Sequence, residues 1–164
     1  MHKEAVISDD QRYRYTLYRE WEEDPFAGIR VLNFVMLNPS TADADKDDPT
    51  IRKCIGFAKL NGYNAIRVVN LFAYRATNPK ELLDQGEFAI GDLNNSYIQE
   101  LPPEETVCVA WGAMPYAHNW MYRRVQTVIW ILNRKLWCVK KSGADACSRP
   151  HHPLYVPYGP LIEF

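Results

Sequence analysis

Polar and apolar residues alternate over 12–19 (RYRYTLYR), with Tyr13, Tyr15 and Leu17 on one face and Arg12, Arg14 and Thr16 on the other. That period of two predicts an edge strand or one arm of a hairpin. After a turn in EWEEDPFAG, residues 29–37 (IRVLNFVML) are apolar almost throughout, the signature of a strand buried on both faces. A helix follows: Asp48 suits the N-cap and Pro49 the first helical position, where its missing N–H costs nothing. Ile51, Cys54, Ile55 and Ala58 keep the spacing of one buried helical face, and Asn61-Gly62 supplies the stop.

Residues 65–72 (AIRVVNLF) form the next apolar strand, so strand, helix and strand build a βαβ unit with parallel strands. The alternation continues with a helix over about 91–100, a strand over 106–111 (TVCVAW), a long helix over 116–134 and a strand over 135–141 (KLWCVKK). Met121, Val125, Val128, Ile129 and Leu132 are expected to face inward from the long helix. The pattern predicts a single α/β domain over 1–164: a three-layer α/β/α sandwich around a four-stranded, mostly parallel central sheet, plus an N-terminal β-strand or hairpin.

The length of 164 residues is enough for one core without a structural metal or disulfide. Cys54, Cys108, Cys138 and Cys147 stand far apart with no CxxC pair, so they are expected to be buried thiols and not cluster ligands. No apolar run reaches signal-peptide or membrane-span length, which predicts a soluble cytoplasmic protein without a membrane partner. The net charge of −1 hides an asymmetry: residues 1–104 carry 12 Lys+Arg against 17 Asp+Glu, and residues 105–164 carry 7 against 3, leaving −5 and +4. The C-terminal excess of Arg123, Arg124, Arg134, Lys135, Lys140, Lys141 and Arg149, with His151 and His152, fits a phosphate-facing surface or a solvated helix face.

Sheets of this kind bind ligands beyond the C-terminal ends of their strands, which directs attention to four loops. In the first, Asn38-Pro39-Ser40-Thr41, proline stiffens the turn and leaves the Asn38 carboxamide at the sheet edge, able to hold a water or a polar edge of a ligand, or simply to build the turn. The acidic run Asp43, Asp45, Asp47 and Asp48 lacks the Gly and Glu that complete an EF-hand, so no metal is expected. The second loop joins Asn70 to Tyr74 and Arg75: an amide for a nucleobase edge, a ring for stacking and a guanidinium for a phosphate. Phe72 reads as core. The last loop, Arg149-Pro150-His151-His152-Pro153-Leu154-Tyr155, sets two histidines between prolines, of which one is expected to face a site and the other solvent.

Taken in order, these motifs resemble two families. Leu37-Asn38-Pro39-Ser40-Thr41-Ala42-Asp43, DDPTIRKCIGFA, VVNLFAYRATNPKEL, AWGA and HPLY resemble a bacterial and phage domain-of-unknown-function family over nearly the whole chain. Met36-Leu37-Asn38-Pro39-Ser40, Val69-Asn70-Leu71-Phe72 and His152-Pro153-Leu154 are similar to the three motifs of the uracil-DNA glycosylase superfamily, with Leu154 where that superfamily carries Ser. The resemblance implies a uracil-DNA glycosylase-like fold without cofactor or metal cluster, and a DNA or nucleotide partner.

The activity it implies is hydrolysis of the N-glycosidic bond of a flipped, modified or unmodified pyrimidine. In that reading Asn38 positions water, His152 donates to the departing base as negative charge develops, and Asn70, Ser40 and Tyr74 bind the base. Arg75 and Arg149 hold phosphates, while Leu154 and Tyr155 wedge the duplex. The alternative is a non-catalytic DNA- or nucleotide-binding protein, for example in a phage DNA-modification pathway.

Overall fold

Two antiparallel strands open the chain, β1 (His2–Ile7) and β2 (Arg14–Glu20), so the expected hairpin arm finds its partner upstream. The computed structural model describes residues 1–22, 24, 26–113, 118–142 and 149–164. The apolar runs become β3 (Val31–Met36), β4 (Ala65–Asn70) and β5 (Thr106–Val109), almost wholly buried. Between β3 and β4 lies α1 (Pro49–Leu60), whose Asp48 cap accepts from the Ile51 N–H at 2.8 Å. Its end at Asn61, with Gly62 at positive φ, falls where the sequence places it.

The remaining elements are α2 (Glu81–Gln85) followed by a 3₁₀ turn (Gly86–Ile90), α3 (Asn94–Gln99), α4 (Asn119–Leu132), β6 (Leu136–Cys138), β7 (Lys141–Ser142), β8 (Arg149–Pro150), a 3₁₀ turn (Pro153–Tyr155) and β9 (Ile162–Glu163). The sheet has seven strands in the order β1-β2-β4-β3-β5-β6-β9, against the four expected. The four predicted strands are its contiguous parallel centre, and antiparallel strands are added at both edges. The strand predicted over 135–141 stays in this sheet only to Cys138; Lys141–Ser142 pairs with Arg149–Pro150 in a separate ribbon. Two-residue strands such as β9 are too short to show a period, which is why the sequence did not announce them.

Helices cover both faces. Leu32, Phe34, Ile66, Val68 and Cys108 pack under Ile51, Cys54 and Phe57 of α1, while Val35, Val69, Val107 and Val109 pack under Ile98 of α3 and Met121, Val128 and Leu132 of α4. The inward face of α4 differs from expectation at one step. Ile129 is exposed and Arg124 is buried, because α4 must also hold the loop after β4: Arg124 Nε donates to Leu71 O at 2.7 Å and Nη1 to Asn95 Oδ1.

The alternation read over 12–19 breaks at Tyr15. Val6 pairs with Thr16 but Ile7 pairs with Arg14, so Tyr15 is the extra residue of a β-bulge. Tyr13 and Tyr15 stack toward Tyr97 of α3, while Leu17 joins the core under α1. Arg14 is thereby turned to the α1 side.

Arg19, on β2, is wholly buried and organises the acidic loop. Its Nε donates to Asp47 Oδ1 at 2.7 Å, and its terminal nitrogens donate to the carbonyls of Glu4, Tyr18 and Asp43. Asp43 accepts from the backbone N–H groups of Asp45 and Lys46, which lowers its pKa. The carboxylates of Asp43, Asp47 and Asp48 thus have protein partners, and among the described residues no group of three His, Cys, Asp or Glu could hold a metal. Cys54, Cys108 and Cys138 are free and buried; Cys147 lies outside the described residues. Among the described residues no helix is long and apolar enough to cross a membrane.

The final segment folds back on α1. The Tyr158 ring lies so close to Gly56 that a Cβ there would come within 2.4 Å of its hydroxyl, and Lys53 Nζ sits 3.8 Å above the same ring. Asn61 bonds Gly159 O and the Leu161 N–H, fastening the segment that follows the His-Pro loop. Replacing Arg19 by Met should leave several backbone carbonyls without their donor and Asp47 with only the longer Lys3 contact, and cost about 3 kcal/mol. Urea unfolding should show this as a lower midpoint at unchanged slope.

Candidate functional site

The three central strands end together. Met36 is paired beside Asn70 across β3 and β4, and the pairing runs on past the strands: Leu71 N–H bonds Met36 O at 2.8 Å, Phe72 N–H bonds Leu37 O at 3.0 Å and Ala76 N–H bonds Pro39 O at 2.9 Å. On the other side, Ala110 N–H bonds Val35 O at 2.8 Å and carries Trp111 and Gly112 to the same edge. Since α1 leaves β3 on one face and the chain returns over the other to β5, this edge is a topological switch point, where a crevice forms.

The crevice is a cavity of about 650 Å³. Asn38, Ser40 and Asn70 line it from the strand ends, Asp48, Thr50 and Ile51 from the first turn of α1, Trp111 and Gly112 from the third strand end, and Arg149, His151, His152, Leu154 and Tyr155 from the last loop. Seven of the nine residues singled out by sequence therefore share one cavity. Tyr74 and Arg75 do not: beyond Asn70 the chain turns toward β2, where Tyr74 bridges to Tyr13 and Arg75 bonds the carbonyls of Arg12 and Gln11. Phe72 is core, edge-on to Trp120.

The two asparagines are in opposite states. Asn38 Nδ2 donates to Ala76 O at 2.8 Å and Pro39 O at 3.0 Å; with two carbonyls around it, the nitrogen end is fixed and Oδ1 is left to accept. Asn70 is 1% exposed, and among the described residues neither its Oδ1 nor its Nδ2 has a partner. Its backbone is fully held: Asn94 Nδ2 donates to Asn70 O and Leu71 O, and Arg124 adds a second donor to Leu71 O. A well-held backbone thus carries a buried, unsatisfied amide on a residue that lines the cavity, at a cost of about 1–3 kcal/mol for each unpaired group.

His152 is held by its neighbours. The Leu154 N–H donates to Nδ1 at 3.3 Å, which places the ring proton of the neutral imidazole on Nε2. Gly112, at φ +74°, packs against it so closely that a Cβ would lie 3.0 Å from His152 Cβ. Burial lowers the His152 pKa below 6.5, partly opposed by the Asp48 carboxylate. The ring is therefore a neutral Nε2–H donor at pH 7. Both histidines line the cavity, so the expectation of one in solvent is not met: the turn starting at Pro153 curves the chain round the opening.

The basic surface suggested by the C-terminal charge is reduced. Arg124 is buried and Arg134 is tied to the carbonyls of Leu101, Pro102 and Leu132. Lys135 pairs with Glu163, and Arg123 lies 3.8 Å from Glu87. Arg149 stays at the cavity rim.

Sequence reasoning missed two charged contributors. Asp48 was legible only as a helix cap, although a helix that follows a core strand necessarily starts at the strand's C-terminal edge. Arg14 comes from the hairpin and faces the cavity only because of the bulge at Tyr15, for which the sequence carries no signal.

An α/β protein with a mixed sheet and a cavity, lined by polar and apolar side chains together, at the carboxyl edge of its parallel strands is the class that fold and site define. The chain belongs to the family described as protein of unknown function DUF1643, which it matches over residues 14–154. No curated protein and no solved structure matches it.

Because the folded His152 pKa is depressed, the neutral ring contributes stability that is present above pH 6.5 and lost as pH falls through the folded value. Nitrogen-15 spectra should show His152 titrating below 6.5 with its proton on Nε2. Asp48→Asn, which removes the charge favouring protonation, should lower the midpoint further.

Proposed function

We propose that the protein acts on a nucleic-acid base, hydrolysing the N-glycosidic bond of a flipped pyrimidine, modified or unmodified. The observation that carries this reading is the Asn70 carboxamide, buried at the cavity wall with donor and acceptor both unpaired. Such an amide is complementary to an edge that offers one acceptor and one donor side by side, as a nucleobase does. The cavity, about 650 Å³, is within the range of small-ligand sites and has room for a nucleoside.

The chemistry asks for little more than positioning. As the C1′–N bond breaks, its electron pair passes to the base and the sugar becomes oxocarbenium-like; water then adds to C1′, and the proton it loses passes by way of solvent to the base, which leaves neutral. Asn38 Oδ1, held by the two bonds on its nitrogen, accepts from that water and orients it. The Nε2–H of neutral His152 donates to the departing base where negative charge develops. Ser40 adds a hydroxyl to the same wall. Leu154 and the 81%-exposed Tyr155 line the cavity and on this reading wedge a duplex, while Arg149 meets a phosphate. A carboxamide removes no proton itself, which favours as second reading a DNA- or nucleotide-binding protein that keeps the pocket without turnover.

Incubation with oligonucleotides each bearing a different base, followed by alkali and mass analysis, separates the two. Base release should occur from at least one substrate, and Asn38→Ala and His152→Ala should each slow it on the order of 10²–10³-fold while DNA binding stays nearly intact. Asn70→Asp, which exchanges an amide donor for a carboxylate, should change which base is accepted. No release from any substrate, or equal rates in wild type and both alanine variants, would leave the binding reading standing.

A further inference from the structure

Arg14 is 2% exposed and lines the cavity. Its Nη1 donates to Ala42 O at 2.8 Å, but its Nε is buried without a partner among the described residues. Among the described residues no carboxylate lies within ion-pair distance of it. Asp48, on the same cavity wall, acts on Arg14 only through space, and one of its oxygens is committed to the Ile51 N–H. Burial brings the guanidinium down to about 10, so it remains charged at neutral pH.

A buried cation lacking a close counter-charge is costly: Arg19 is neutralised by Asp47, whereas Arg14 and Arg124 have no such partner among the described residues, and of these two only Arg14 lines the cavity. Here the cost falls inside a ligand-sized cavity, at a bulge that turns the side chain toward it. Two further features favour an anion in the same space: the positive end of the twelve-residue helix α1, whose first turn lines the cavity, and Arg149 at the rim.

We infer that Arg14 forms an anion subsite within the cavity and that the ligand carries a phosphate there, so that the protein takes a nucleoside phosphate, free or as part of a strand. The nucleoside half of this statement rests on the base-reading role proposed for Asn70; the phosphate half does not. The guanidinium donates to a phosphate oxygen, which supplies the acceptor and the counter-charge that no described residue provides.

The test is calorimetric titration at low salt with the four deoxynucleosides, their 5′-monophosphates, inorganic phosphate and a short single-stranded oligonucleotide. At least one monophosphate should bind wild type roughly tenfold or more tighter than its nucleoside, the worth of one charge-assisted hydrogen bond. Arg14→Gln should erase that preference and Arg14→Lys should keep part of it. Arg14-dependent binding of the oligonucleotide assigns the phosphate to a strand; binding confined to the mononucleotide assigns it to a free nucleotide.

Inorganic phosphate that binds through Arg14 while no nucleoside or nucleotide does would uphold the anion subsite and remove the base reading. Equal affinity of nucleosides and monophosphates for wild type overturns the inference, a comparison that needs no variant to fold. So does a phosphate preference that survives in Arg14→Gln, or no binding of any of these probes. Base release from an oligonucleotide together with Arg14-independent affinity would leave the glycosylase reading intact and sink this one alone.

Discussion

The register between β3 and β4 is the constraint on which the site depends. Met36 lies beside Asn70, and the hydrogen-bonded pairing continues through Leu71, Phe72 and Ala76, so the two loops leave the sheet in step. A strand shows alternate residues to opposite faces, so a slip of one residue would carry Asn70 to the side of α3 and α4. The apolar residues Phe34, Ile66 and Val68 under α1, and Val35 and Val69 under α4, forbid that slip. The core therefore sets which face the asparagines occupy, and the function proposed for them follows from packing several residues away.

Three buried arginines divide the tasks of stability and binding. Arg19 is saturated with acceptors and ties β1, β2 and the acidic loop together. Arg124 spends two donors behind the Asn70 strand end, holding the backbone that presents the amide. Among the described residues Arg14 has a single backbone acceptor and an idle Nε, and unlike Arg124, whose Nη2 is also idle, it lines the cavity. The same side chain is thus a strut in two places and, on the inference drawn above, a receptor in the third. Acceptor supply and not residue type makes the difference.

A similar contrast separates Asn38 from Asn70. Both end core strands, and by sequence both are polar residues closing an apolar run. Asn38 fastens its nitrogen to the neighbouring loop and becomes an oriented acceptor. Asn70 keeps both amide groups unpaired in a buried wall. On the reading proposed above a ligand relieves these groups, and the well-bonded backbone around them keeps the pocket from collapsing to satisfy them itself.

Strong local signals made much of the protein legible in the sequence alone. The apolar runs over 29–37, 65–72 and 106–111, the Asp48-Pro49 start and Asn61-Gly62 stop of α1 and the βαβ alternation determined the parallel centre of the sheet, and with it the edge where Asn38, Asn70 and His152 meet. Hydrophobic periodicity and capping depend on neighbours a few residues away, which a sequence displays. Tertiary structure alone decided the rest: the bulge that turns Arg14 inward, the burial of Arg124 in place of Ile129, the edge strand β9, and the departure of Tyr74 and Arg75 from the site. Each of these depends on which acceptor or partner strand lies across the fold, and separation along the chain carries no record of that distance.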